Sequence, residues 1–283
     1  MHKNQKIGIV GSGTMGNGIA HVFAQYGYNV FLVDLNQSIL DKAIKKIELN
    51  MQRQVKKEII SKNQLIDFMK NIIVSTDLES LKDSHLVIEA VSEKEEIKTK
   101  IFKSLDSICN SDTILASNTS SISITKIAEA TKRPDKVIGM HFMNPVPVMK
   151  LIEIIKGNKT SSQTLKIILD ISKFLNKIPL ECNDSPGFIS NRILMPLINE
   201  AAYCLMDKIA NKEAIDGIMK LGMGHPMGPL MLADLIGIDV CVSIMNVLKE
   251  GLQSDKYAPC PLLISMLELN KLGKKTNEGF YKY

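Results

Sequence analysis

Two patterns of apolar and polar positions alternate along the first two-thirds of the chain. Short apolar runs recur at Lys6 to Val10, Val30 to Val33, Asn71 to Ser75, His85 to Glu89, Thr113 to Ser117, Lys136 to Met140 and Lys150 to Ile155. Runs of this length are too short for helices and predict buried strands. Between them lie stretches with helical spacing. One follows Gly16 to Tyr26, and a long lysine-rich one, capped by Asn36 or Ser38, reaches about Lys57. In the latter, Ile39, Leu40, Ala43, Ile44, Ile47 and Met51 fall on one face, so the lysines face water. Further helices are expected over Ser61 to Met69, Glu95 to Ile108 and Ser123 to Ala130. Such alternation predicts an α/β fold with a Rossmann-type, doubly wound, mostly parallel sheet and right-handed crossovers. His85, at the head of an apolar run, reads as a structural histidine.

The pattern then changes. A helix over Ser162 to Leu175 and a short strand over Lys177 to Cys182 lead into the turn cluster Asn183-Asp184-Ser185-Pro186-Gly187. Beyond it the spacing is helical: Phe188 to Asp207, Lys212 to Lys220, Gly228 to Ile236, Asp239 to Glu250 and Pro261 to Leu269. Two domains are expected, residues 1–183 and an all-α C-terminal domain of residues 184–283. The helical part carries more Met, Leu and Ile than one small bundle can bury, which points to a homodimer formed through it.

Composition narrows the class without changing this picture. The 283 residues are 45% hydrophobic and 23% charged, as in a soluble globular protein with a real core. No apolar run is long enough for a membrane span, so no membrane partner is expected. The first strand begins at Lys6, which leaves no room for a leader peptide and suggests a cytoplasmic protein. Five cysteines without C-x-x-C spacing read as free thiols in a reducing compartment, and no metal site is expected. The net charge of +5 comes without a basic–aromatic pattern. Small polyanions are therefore better partners than nucleic acid.

Candidate chemistry begins at the first strand. Gly11, Gly13 and Gly16 form G-x-G-x-x-G around Ser12, Thr14 and Met15, between a strand and a helix. The first glycine permits a sharp turn, the second lets a pyrophosphate approach the backbone, and the third lets helix and sheet pack closely. The helix start then offers N–H groups to the phosphates. Asp34 closes the next strand, where it can accept hydrogen bonds from ribose hydroxyls and would repel a 2′-phosphate. The pattern predicts NAD as cofactor; Asp34 is the one residue behind a preference over NADP, which stays open.

Polar residues interrupt apolar strand ends at Ser117-Asn118-Thr119-Ser120-Ser121 and at His141-Phe142-Met143-Asn144-Pro145-Val146-Pro147. Ligands of open parallel sheets bind at such ends. Glu153 lies inside the apolar Leu151-Ile152-Glu153-Ile154-Ile155, where a carboxylate needs a partner, and His141 is the best placed. A His–Glu pair beside a nicotinamide suits hydride transfer coupled to proton transfer, the carboxylate orienting the imidazole. The alternative is a buried hydrogen bond that only stiffens the core. The lysine run around Lys57 likewise has two readings, a solvated face or a contact to substrate phosphates.

These motifs occur in order with Asp184-Ser185-Pro186-Gly187-Phe188-Ile189-Ser190-Asn191-Arg192, Gly224-His225-Pro226-Met227-Gly228-Pro229 and Gly273-Lys274-Lys275-Thr276. Together they resemble the L-3-hydroxyacyl-CoA dehydrogenase family, in particular its short-chain 3-hydroxybutyryl-CoA members, over nearly the whole chain. After His141-Phe142 the family usually has a second Phe where this chain has Met143, an apolar exchange. The resemblance implies reversible NAD-linked conversion of (S)-3-hydroxyacyl-CoA to 3-oxoacyl-CoA, in fatty-acid degradation or in butyrate or butanol formation. It implies His141 as acid/base, Glu153 as its orienting carboxylate, Ser120 on the substrate oxygen, and Asn191 holding histidine and substrate in an interdomain cleft. It also implies dinucleotide contacts at Glu93, Lys98, Ser120, Asn144 and Lys275, and CoA contacts at Asn50 and Lys57. At Asn50 the family often has serine. Two other readings remain: a relative that oxidises a sugar acid such as gulonate, and a non-catalytic NADH-binding protein like those recruited to eye lens.

Overall fold

The structure, a computed structural model, describes residues 5–283. It divides into two compact units, one ending at Asp184 and the other running from Ser185 to Tyr283.

The first unit is an eight-stranded sheet with helices on its faces. Its elements are β1 (Lys6–Val10), α1 (Thr14–Gln25), β2 (Asn29–Val33), α2 (Gln37–Lys56), α3 (Lys62–Lys70), β3 (Ile72–Ser75), β4 (Leu86–Glu89) and α4 (Glu95–Ile108), followed by β5 (Ile114–Ser117), α5 (Ile124–Glu129), β6 (Val137–Phe142), β7 (Leu151–Lys156), α6 (Ser162–Phe174) and β8 (Ile178–Asn183). The strand order is β3-β2-β1-β4-β5-β6-β7-β8. Strands β3 to β6 run parallel, whereas β7 turns back antiparallel to β6 and β8 lies parallel to β7. The strand reading therefore holds, with β6 extending two residues beyond Met140 to include His141. His85 lies exposed just ahead of β4.

Local chemistry accounts for the helix boundaries. Asn36, not Ser38, caps α2 by accepting from the Ile39 N–H at 3.1 Å. Ser61 and Gln64 form a reciprocal capping box at α3. The core on one side of the sheet joins Ile7, Ile9, Leu32, Ile88 and Ile154 to Ile19 and Phe23 of α1 and Ile168 of α6, all without solvent exposure.

The second unit contains α7 (Ser190–Met206), α8 (Lys212–Leu221), α9 (Pro229–Ile236), α10 (Ile238–Leu252) and α11 (Pro261–Glu268). Helix α7 starts two residues later than the spacing predicts, because Gly187 and Phe188 both adopt positive φ and form a turn. Its core gathers Met195, Ile198, Leu230, Ile238, Cys241, Leu248 and Leu263. Asp216 and Asp234 are buried there and bonded: Asp216 accepts from the Leu230 and Met231 N–H groups, and Asp234 from those of Phe280 and Tyr281. The C-terminal tail is thereby tied to α9. Among the described residues no single helix is long and apolar enough to cross a membrane.

The tightest steric constraint lies in the β1–α1 turn. A Cβ on Gly16 would fall 1.7 Å from the Gly11 carbonyl oxygen, and Gly11 itself holds φ at +94°. Gly16→Ala is expected to destabilise the protein by about 3 kcal/mol, read as a lowered urea midpoint with an unchanged slope.

Candidate active site

Three groups of side chains meet at the carboxyl ends of the parallel strands. The first is the β1–α1 turn. No side chain caps α1 at Gly13, and a Cβ there would meet nothing within 4 Å, so the backbone lies open to a phosphate. Asp34, just past β2, accepts from the Ser12 N–H at 2.6 Å and the Ser12 hydroxyl at 2.7 Å through Oδ2, and from the Leu35 N–H through Oδ1. The acid thus fixes the glycine turn from across the sheet. A strand, an uncapped helix start and an acid so placed fit a dinucleotide.

The second group follows β4 and β5. Glu89 ends β4 with no exposure, and Lys98 of α4 is 1% exposed. The Lys98 ammonium donates to Glu89 at 2.7 Å, lies 3.2 Å from Glu93, and reaches the Val91 carbonyl at 3.4 Å. The other Glu89 oxygen accepts from the Ser117 hydroxyl at 2.6 Å. Glu93 lies within hydrogen-bonding distance of the Thr119 hydroxyl at 2.5 Å, the N–H groups of Ser120 and Ser121 at 2.8 and 3.0 Å, and both serine hydroxyls. Burial works to raise the Glu93 carboxyl, but Lys98 and the bonds from Thr119 and Ser120 outweigh it and hold it below the usual carboxylate range. The resemblance sets Lys98 against the dinucleotide. In the structure its side chain is enclosed, and its charge is spent on two carboxylates.

The third group is the pair on β6 and β7. His141 and Glu153 are direct cross-strand partners, and His141 Nδ1 lies 3.0 Å from Glu153 Oε2, with both side chains largely buried. Asn118 joins this group to the second, its side-chain oxygen accepting from the Phe142 N–H at 2.9 Å. Asn144 is exposed in the following loop, before a cis peptide to Pro145.

A cavity of about 680 Å³ opens between α1, α2 and the β6–β7 loop. Arg53, Lys57, Lys150 and Lys177 line it together with Asn50 and His21, and no Asp or Glu does. The lysines earlier on α2 are exposed, as a solvated face requires, whereas Arg53 and Lys57 at the helix end line the cavity. Asn191 and Lys275 belong to the second unit. Asn191 is the second residue of α7, and Lys275 forms an ion pair with Asp239.

Sequence reasoning missed Glu89, Asn118, Arg53 and Lys177. Lys98, Phe102 and Leu105 fall at i, i+4 and i+7 and are all buried, a spacing that marks Lys98 as inward-facing. Among the described residues no cluster of His, Cys, Asp or Glu could hold a metal.

Residues 6–185 match the NAD binding domain of 3-hydroxyacyl-CoA dehydrogenase and residues 187–283 its C-terminal domain. The chain belongs to the 3-hydroxyacyl-CoA dehydrogenase family. It is 50% identical over 282 residues to a probable 3-hydroxybutyryl-CoA dehydrogenase of Deinococcus radiodurans, covering 98% of this chain and 100% of that one. It is also 50% identical over 278 residues to the 3-hydroxybutyryl-CoA dehydrogenase of Clostridioides difficile, covering 98% and 99%. The crystal structure of (S)-3-hydroxybutyryl-CoA dehydrogenase from Ralstonia eutropha superposes with a TM-score of 0.96 at 45% identity, over 99% of both chains. The match of residues 6–185 to the family's NAD binding domain supports NAD as the cofactor.

Lys98→Met tests the charge cluster of this family member directly. Leaving Glu89 buried without its cation is expected to cost about 3–5 kcal/mol, measured by urea denaturation. Lys94→Met, at an exposed neighbour, is expected to change stability by less than about 0.5 kcal/mol.

Proposed function

We propose that this chain catalyses the reversible NAD-linked oxidation of (S)-3-hydroxyacyl-CoA, short-chained as in 3-hydroxybutyryl-CoA, to 3-oxoacyl-CoA. His141 is the general acid/base and Glu153 its orienting carboxylate. The observation that carries this reading is the 3.0 Å contact between His141 Nδ1 and Glu153 Oε2 at the carboxyl end of a dinucleotide-binding sheet.

When bound, NAD supplies the acceptor for the hydride that leaves C3. The chain's task is the proton. With Nδ1 facing Glu153, His141 takes the C3 hydroxyl proton through Nε2 as the hydride departs, and returns it in the reverse direction. The carboxylate fixes the tautomer and stabilises the imidazolium that forms. Ser120, presented by the loop that Glu93 gathers, is assigned to the substrate oxygen, and Asn191 to histidine and substrate from α7. Lys98 serves the dinucleotide side through Glu93.

The cavity lined by Asn50, Arg53, Lys57, Lys150 and Lys177 suits the phosphates of CoA, since four cations and no carboxylate line it. Binding energy gained there is available to align C3. A sugar acid has no phosphate tail to use such a cavity. Exposed Ile193, Ile209, Leu221 and Met223 support a homodimer through the helical unit. Five cysteines held as thiols, with no disulfide among the described residues, support a cytoplasmic setting.

NADH oxidation with acetoacetyl-CoA tests the assignment. His141→Ala is expected to abolish turnover, and Glu153→Gln to lower kcat by about 10²–10⁴-fold. Normal turnover in both variants, or a preference for free hydroxy acids over the thioester, overturns it. On the cofactor side, Asp34 is assigned to the adenosine ribose, where a carboxylate repels a 2′-phosphate. NADH is expected to exceed NADPH in kcat/KM by at least about 100-fold, and Asp34→Ser to narrow that ratio at least tenfold.

A further inference from the structure

Lys177 has no part in the resemblance and none in the proton transfer above, yet it is the most constrained of the four cations around the cavity. It lies between α6 and β8 and is 8% exposed. Its ammonium donates to the carbonyls of Val146 at 2.5 Å and Met149 at 2.6 Å. Among the described residues it pairs with no carboxylate within ion-pair distance. Burial, with Lys150 close by, lowers its pKa from the ordinary lysine value. A buried cation held by two neutral acceptors is an expensive device.

The acceptors show what it holds. Val146 and Met149 lie in the loop that carries the chain from His141 on β6 to Glu153 on β7. That loop is braced on its other side by α1, where Val146 packs so closely that a Cβ on Gly18 would fall 2.9 Å from the Val146 Cβ. The Pro145 carbonyl accepts from the N–H groups of Val148 and Met149, closing the loop on itself. Just beyond Lys177, the Ile178 N–H donates to the Lys150 carbonyl and starts the β7–β8 ladder. Lys177 thus clamps the connecting loop of the hairpin whose strands carry both members of the proposed acid/base pair, and the same side chain lines the cavity.

We propose that Lys177 is a positioning residue that couples the anion cavity to the His141–Glu153 hairpin. Its two carbonyl bonds hold the hairpin register, and its charge feels any phosphate in the cavity, so occupancy there tightens the clamp. The proposal rests on the functional reading above for the identity of the phosphate ligand. It separates Lys177 from Lys57, which lines the same cavity from the end of α2 and is assigned to binding alone.

The test compares wild type, Lys177→Met and Lys57→Ala with acetoacetyl-CoA and with S-acetoacetyl-N-acetylcysteamine, which has no phosphate. Lys177→Met is expected to lower kcat at least about tenfold with acetoacetyl-CoA, since misplacement of reacting groups far from the chemistry is costly. The loss is clearly smaller with the phosphate-free thioester, because only the CoA thioester tightens the clamp; an equal loss with both substrates overturns the coupling. Lys57→Ala is expected to act on KM, and with the CoA thioester only. A second readout needs no turnover: the ring ¹⁵N shifts of His141 at fixed pH are expected to move in Lys177→Met and to stay in place in Lys57→Ala. If Lys177→Met alters only KM and leaves the His141 shifts unmoved, the coupling is overturned and Lys177 is a binding residue like Lys57. If wild type turns over neither thioester, the functional reading fails, and the His141 shifts still decide the clamp. Should Lys177→Met not fold, Lys177→Gln, which offers one amide group to two carbonyls, is read by the same criteria.

Discussion

The pairing of His141 with Glu153 across β6 and β7 is the constraint on which the rest of the site depends. Directly opposed residues of an antiparallel pair place their Cβ atoms about 5 Å apart, so the backbone itself brings imidazole and carboxylate together. A slip of one residue would send Glu153 to the opposite face of the sheet. Apolar patterning does little to prevent this, because Ile152, Ile154 and Ile155 are all fully buried and fit either face. The register is specified by polar groups instead. A buried carboxylate without a partner is costly, and Asn118, which receives the Phe142 N–H, ties the end of β6 to the loop after β5.

That same two-sided burial limits how much of the fold is legible in the chain. The eight strands and eleven α-helices among the described residues are visible as apolar runs and helical stripes, because length and spacing depend on local geometry. The direction of β7 is not. Leu151 to Lys156 has no feature that distinguishes a parallel strand from an antiparallel one, and the short connection from Phe142 to Leu151 is the only hint, since parallel neighbours need a long crossover. The end of β6 is also blurred. His141 looks like a residue beyond the strand because it is polar, whereas cross-strand pairing carries the ladder through it.

The site is legible in proportion to how local its signals are. The glycine turn and Asp34 are read from spacing alone, although spacing does not show that Asp34 already binds Ser12 through both the N–H and the hydroxyl. His141 and Glu153 follow from the cost of a carboxylate in an apolar strand. Glu89 carries the same signal as Asp34, an acid closing a buried strand, and its cation is marked by the inward spacing of Lys98, Phe102 and Leu105. Lys177 carries no such mark. It precedes a strand and follows a helix, and its partners are backbone carbonyls some 30 residues away, contacts no side-chain pattern encodes.

The two buried lysines show how differently a cation can be accommodated. Lys98 meets Glu89 and Glu93 and completes a hydrogen-bonded knot that orders the Ser117 to Ser121 loop. Lys177 meets only carbonyls and adds its charge to Arg53, Lys57 and Lys150 around one cavity. Like charges gathered without a counter-ion repel each other and work against folding, so the arrangement is poor as architecture. It is sound as recognition, because an arriving polyanion relieves the repulsion and meets donors already in place. Stability given up at a site in this way is the ordinary cost of preorganised binding. One lysine thus fixes the loop that carries Ser120, and the other, buried against carbonyls, keeps its charge beside the cavity.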